Sequence, residues 1–181
     1  MVTFEENLEG ASETSLARFL AAARRLLGMR GRVNVVVTTN RTMRELNRRF
    51  RAKDKPTDVL SFPAADVPGC GIAGDIAISA QIASENARSL GHKAATELKI
   101  LVLHGLLHLA GFNHETDNGK MARKERKLRR ELKLPDGLIE RTVGVRQHSA
   151  TRTKLLTQDK QSSRQGRQSP GQGAGGGRNR S

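Results

Sequence analysis

Between residues 13 and 27 the apolar positions Leu16, Phe19, Leu20, Ala23, Leu26 and Leu27 recur three and four apart. That spacing predicts an amphipathic helix ending near Gly28. Val33 to Thr39 (VNVVVTT) is short and β-branched, which predicts a strand, and Asn40 or Thr42 is placed to cap a second helix running through Phe50. Pro56 stops any helix, and TDVLSFP (57–63) alternates polar with apolar as far as Pro63, the pattern of an exposed-face or edge strand. A loop is expected over 64–72. GDIAIS (74–79) is a further strand with Ile76 and Ile78 on one face, followed by a helix from about Ser79 to Leu90. The next helix spans 95–110, and its residues Leu98, Ile100, Leu101, Val102, Leu103, Leu106, Leu107 and Leu109 run nearly all the way round it, which marks a buried central helix. The last, about 117–133, shows only a narrow stripe of Met121, Leu128 and Leu132 among eight Lys or Arg and two Glu.

From Ser149 onward this patterning is lost. Gln, Ser, Gly and Arg dominate, and the chain ends GQGAGGGRNRS. Such a composition does not repay the entropy of folding, so 149–181 is expected to be a disordered basic tail behind a single domain over 1–148. With 36% hydrophobic residues, 181 positions suffice for one modest core and not for two. The formal net charge is +14, of which seven Lys or Arg against one Asp lie in 149–181. The body therefore carries a basic excess of its own, and both parts favour nucleic acid or another anionic partner. Aromatics make up 3%, with no Trp or Tyr, which argues against a single-strand binder built on stacked platforms and for contacts made mainly to phosphate. The single cysteine, Cys70, excludes an internal disulfide framework and any CxxC metal knot, and points to a reducing compartment. The acidic start MVTFEENLEG lacks the order of a secretory signal, and the most apolar stretch, 100–112, is too short to span a bilayer. A soluble, cytoplasmic protein with no membrane partner is expected.

Candidate chemistry concentrates in HGLLHLAGFNH. His104 and His108 are four apart on a predicted helix and share a face, so both imidazoles can reach one ion. Gly111 can take a left-handed conformation, ending the helix and letting His114 swing back as a third donor. Three neutral imidazoles leave one tetrahedral position for water, the arrangement of a catalytic zinc site, although imidazole suits copper, iron and nickel as well. A lone histidine on an apolar helix is ordinarily a hydrogen-bonded core residue, but three within 104–114 are costly to bury without a common partner. His92 and His148 are expected on the surface. Zinc peptidases of the HExxHxxGxxH type use the same spacing, yet their general-base glutamate is replaced here by Gly105. A metal would then act as a Lewis acid on a charged substrate or supply hydroxide from water.

A second feature, NRRFRAKDKPTDVLSFP (47–63), gathers Arg48, Arg49, Arg51, Lys53 and Lys55 ahead of a strand, where they can neutralise phosphates. Arg48 and Arg49 read as a solvated face, and Arg51 is singled out for function. Asp54, Asp58 and Asp75 lie near the motifs, with capping or strand-end hydrogen bonding the simpler role for each. Met121 follows the histidines and is expected to pack in the helix stripe rather than beneath a metal.

Taken in order, FRAKDKPTDVLSFP, GDIAIS and HGLLHLAGFNHETD resemble the YbeY family of bacterial endoribonucleases and ribosomal RNA maturation factors, over roughly residues 33–133. The resemblance implies a single α+β domain, a mixed sheet of about four strands packed around a central buried helix. It implies one metal ion, zinc or similar, held by His104, His108 and His114, with Arg51 matching the family's phosphate-contacting arginine. The implied activity is metal-dependent cleavage of single-stranded RNA in maturation of the small-subunit ribosomal RNA 3′ end and in ribosome quality control. The implied partners are ribosomal RNA, the small ribosomal subunit and assembly factors. Phe112 and Asn113 depart from the Tyr and Asp usual in the family before the third histidine, and Glu115 or Asp117 is placed to supply a carboxylate instead. Two rival readings are an assembly factor that binds RNA and carries a structural metal, and a zinc peptidase with another base.

Overall fold

The structure is a computed structural model that describes residues 1–64, 71–114 and 116–135. The expected tail, His148, Cys70 and Glu115 lie outside the described residues. The elements run β1 (Val2–Phe4), α1 (Glu13–Leu26), β2 (Arg32–Thr38), α2 (Asn40–Arg51), β3 (Val59–Pro63), β4 (Ile72–Ser79), α3 (Ala80–Ser89), α4 (Ala94–Leu109) and α5 (Lys120–Glu131). The strands form one mixed sheet in the order β1-β2-β4-β3, with β1, β2 and β4 parallel and β3 antiparallel to β4. This is the expected α+β class, with β3 at an edge, one of the two placements its alternating pattern allowed.

Alternation along the strands sorts the core into two parts. Val33, Val35, Val37, Ile76 and Ile78 turn to one face, where they meet Leu16, Phe19 and Leu20 of α1, the apolar girdle of α4, and Met121 and Leu128 of α5. Leu60 and Ala77 turn the other way against Met43 of α2, with Val36, Leu46 and Phe62 around them. The sheet is thus sandwiched, and α4 is the buried helix, with every residue from Ile100 to Leu107 inaccessible or nearly so. Met121 packs in this core, as expected of a helix stripe.

The differences from expectation have local causes. β1 is absent from the sequence reading because three residues pairing Val2–Phe4 with Val35–Val37 are too few to register a period. β4 begins at Ile72 rather than Gly74, because the register shifts opposite Arg32 and Val33 and a bulge lengthens the strand. The cap of α2 is Thr39, whose side chain accepts from the Thr42 N–H, rather than Asn40 or Thr42. Helix α5 is shorter than expected at both ends, and the Asp117 Oδ2 accepts from the Met121 N–H at 2.7 Å. Asp117 thus holds the start of the helix through Oδ2, while its buried Oδ1 accepts no hydrogen bond among the described residues. His92 is not on the surface: its side chain is 13% exposed and its Nε2 lies 2.7 Å from the fully buried Glu97 in the first turn of α4.

Two glycines set how closely α4 approaches the sheet. A Cβ on Gly105 would stand 2.9 Å from Ile76 Cδ1 and 3.0 Å from Ser61 Oγ, which donates to the Gly105 carbonyl at 3.3 Å. At Gly74 (φ +152°) a Cβ would meet the Phe62 carbonyl oxygen at 2.5 Å and Leu109 Cδ2 at 2.7 Å. The last turns of α4, which carry the two helical histidines, are thereby seated on β3 and β4.

Candidate metal centre

Helix α4 delivers His104 and His108 from one face, the first buried and the second half-buried. The helix then ends in a Schellman turn. The Gly111 N–H donates to the His108 carbonyl at 3.0 Å and the Phe112 N–H to the Leu107 carbonyl at 3.1 Å, with Gly111 at φ +86°. The turn reverses the chain and brings the exposed His114 back over the helix end. One ligand-capable nitrogen from each of His104, His108 and His114 lies within 4.8 Å of the others, a cluster that could hold a metal ion.

The hydrogen bonds behind the rings test whether this donor set fits a cation. His104 Nδ1 lies 3.3 Å from Glu125 Oε2, and His108 Nδ1 lies 3.1 Å from the Phe112 carbonyl oxygen. A carboxylate and a carbonyl only accept, so each Nδ1 carries the proton and each Nε2 presents a lone pair. Those two Nε2 atoms face each other at 3.1 Å. Two acceptors so close repel unless a proton or a metal ion lies between them. Protonation is disfavoured there: burial, then the neighbouring His104 and His114, with a smaller push from the Arg51 charge, bring His108 down to about 4. His108 therefore resists a proton at neutral pH while the two facing Nε2 atoms present lone pairs, which suits a divalent ion with affinity for imidazole.

Behind His104 stands a group absent from the sequence reading. Glu125 and Arg129 of α5 are each 2% exposed. Glu125 Oε1 accepts from Arg129 Nε at 2.8 Å and from Nη2 at 2.6 Å, while Arg129 Nη1 donates to the Pro135 carbonyl at 2.7 Å. Burial alone would raise the Glu125 carboxyl, but the His104 hydrogen bond and the Arg129 charge outweigh it and hold it below the usual carboxylate range. The available signal was positional: Met121, Glu125, Leu128 and Arg129 share one helical face, so a charged pair lies inside the apolar stripe.

Arg51 lies in the last turn of α2, exposed, and near enough to His108 for its charge to lower that imidazole's proton affinity. The segment after it is fastened to α2. Ala52 closes the helix in the left-handed region at φ 54°, buried Asn47 donates through Nδ2 to the Lys55 carbonyl at 2.7 Å, and Arg44 clasps Asp54 through two bonds of 2.7 Å. Phe50 packs edge-on against Phe62 with ring centroids 5.0 Å apart, and the Arg49 guanidinium lies over its ring. Of the three aspartates near the motifs, Asp54 pairs with Arg44, Asp58 accepts from the Thr57 hydroxyl and the Val59 N–H, and Asp75 accepts from the Asn34 amide. Asp58 has the strand-end hydrogen-bonding role that was the simpler expectation, Asp75 bonds a side chain on the neighbouring strand, and Asp54 is instead in an ion pair.

Fold and site together define a class: α+β proteins with a three-histidine centre at the end of a buried helix and a cationic helix end beside it. The family model described as endoribonuclease YbeY matches residues 3–133, and the chain belongs to that family. The chain is similar to the endoribonuclease YbeY of Koribacter versatilis, 54% identical over 154 residues that cover 85% of this chain and 99% of the relative. It is also similar to that of Nautilia profundicola, 47% identical and covering 60% and 78% of the two chains. A solution structure of a Thermotoga maritima protein is 32% identical, covers 70% of this chain and 85% of the other, and superposes with a TM-score of 0.46.

Proposed function

We propose that this protein is a single-strand-specific, metal-dependent endoribonuclease that works in the cytoplasm on ribosomal RNA, at the 3′ end of the small-subunit RNA and in ribosome quality control. Its partners on this reading are the small ribosomal subunit and assembly factors. The observation that carries the reading is the pair of Nε2 lone pairs set 3.1 Å apart, with both Nδ1 protons committed behind them and His114 in reach. Membership of the endoribonuclease family and the basic charge of the chain support RNA as the substrate.

His104, His108 and His114 would hold one zinc ion. Such an ion supplies Lewis acidity toward a phosphoryl oxygen and toward water. The protein does the rest. Helix α4 and the turn at Gly111 place three imidazoles, and the open side at exposed His114 admits substrate. Arg51 offers a fixed positive charge to the phosphate and stabilises the negative charge that grows in the transition state. Gly105 weighs against peptide hydrolysis of the HExxH kind, because its neighbours Ile76 and Ser61 occupy the space a glutamate would need. No helix among the described residues is long and apolar enough to cross a membrane.

The test is cleavage of a labelled single-stranded RNA by the wild type and by His114→Ala, purified in parallel with bound metal quantified. Activity that tracks metal and disappears in the variant is expected. Equal cleavage by both would mean contamination and overturn the assignment, and metal without cleavage in the wild type would favour an assembly factor.

A further inference from the structure

The buried carboxylate behind His104 has two oxygens with different duties. Oε1 is saturated by Nε and Nη2 of Arg129, at 2.8 and 2.6 Å, and that guanidinium is itself tied to the Pro135 carbonyl. Oε2 is left facing His104 Nδ1 at 3.3 Å. A clasp joining α5 to the core needs no imidazole at the end of the chain, and a buried ion pair is a poor route to stability compared with apolar packing of the same volume. What the arrangement supplies is direction. A carboxylate that can only accept holds the His104 proton on Nδ1 and turns the Nε2 lone pair toward the other two histidines. His108 has only a backbone carbonyl behind it, so the two helical imidazoles differ in the strength of their support.

We propose that Glu125, locked by Arg129, is a positioning residue of the metal centre: it orients His104 and raises the basicity of its Nε2. This rests on the metal-centre reading above. The two ideas fail differently. Wild-type protein that takes up no zinc in proportion to its histidine cluster sinks both, whereas a wild type that binds zinc and a Glu125 variant that binds it as well sinks this one alone.

Two variants of the full chain are compared with wild type. Glu125→Gln keeps size and an oxygen for His104 but removes the charge. Because it removes the carboxylate charge that faces a buried guanidinium, the double variant Glu125→Gln with Arg129→Met, which removes both charges, is run beside it. Zinc affinity by chelator competition is expected to fall about 10- to 100-fold in both, and the visible absorption of the cobalt-substituted protein is expected to shift. A helix clasp alone would lower the thermal midpoint of the metal-free protein without moving the cobalt spectrum. Folded variants with wild-type zinc affinity and an unchanged cobalt spectrum would overturn the proposal. A third readout needs no variant. In zinc-loaded wild type the His104 Nδ1 proton should be far downfield and slow to exchange with water, and rapid exchange there would overturn the proposal too.

Discussion

Arg51 and the histidines divide the work at the proposed site. The imidazoles of His104 and His108 are held from behind, by Glu125 and by the Phe112 carbonyl, so their orientation does not depend on Arg51. Arg51 touches the cluster only through its field, lowering the proton affinity of His108 from the end of a different helix. Replacing it should therefore leave the metal in place and remove charge stabilisation from the reacting phosphate. Arg51→Ala is expected to keep full zinc stoichiometry while single-turnover RNA cleavage falls about 10²- to 10³-fold, the usual loss when one preorganised donor is deleted. Loss of zinc in that variant would count against a phosphate role. Lys is not an equal substitute, since the planar guanidinium can address two phosphate oxygens at once.

At the scale of elements, the decisive contact is α4 on the sheet. Gly105 sits where Ile76 and Ser61 leave no room for a side chain. Gly105→Glu, which would complete the peptidase motif, buries an unpaired carboxylate in an overpacked position and is expected to cost at least about 3 kcal/mol. Thermal denaturation should show a fall of several degrees, with no gain of peptidase activity; a variant as stable as wild type would refute the packing argument. Five helices and three strands are legible in the sequence because each is long enough to show its period, and His104, His108, Gly111 and His114 are legible because their spacing is local. β1 is too short to show a pattern and gains its place only by pairing with β2. Glu125 is hidden for a different reason. Its partner His104 is 21 residues away, and the one local sign, a charged pair within the stripe of Met121 and Leu128, does not say what that pair faces. His92 looks like an exposed turn residue and is buried only because Glu97, one turn into α4, faces it.

For the whole molecule, charge and donor placement act at different ranges. The chain carries +14, and the seven Lys or Arg of 149–181 are a large share of its cations. Removing 149–181 should weaken RNA binding and flatten its dependence on salt, by about 0.7 in log–log slope for each phosphate that the shortened chain leaves unneutralised. Cleavage at saturating RNA should persist. An unchanged slope would leave that segment without a role in RNA binding. Within 1–135 the sandwich gives the three imidazoles foundations of unequal stiffness. His104 and His108 stand on a helix packed on all sides, whereas His114 hangs from a turn closed by backbone hydrogen bonds at Gly111 and Phe112. Local opening of such a turn costs far less than opening the core. On the proposed reading, an ion held there would rest on two stiff donors and on one, His114, that the breathing of a single turn would release, so its exchange with the surroundings would follow that turn rather than the lifetime of the fold.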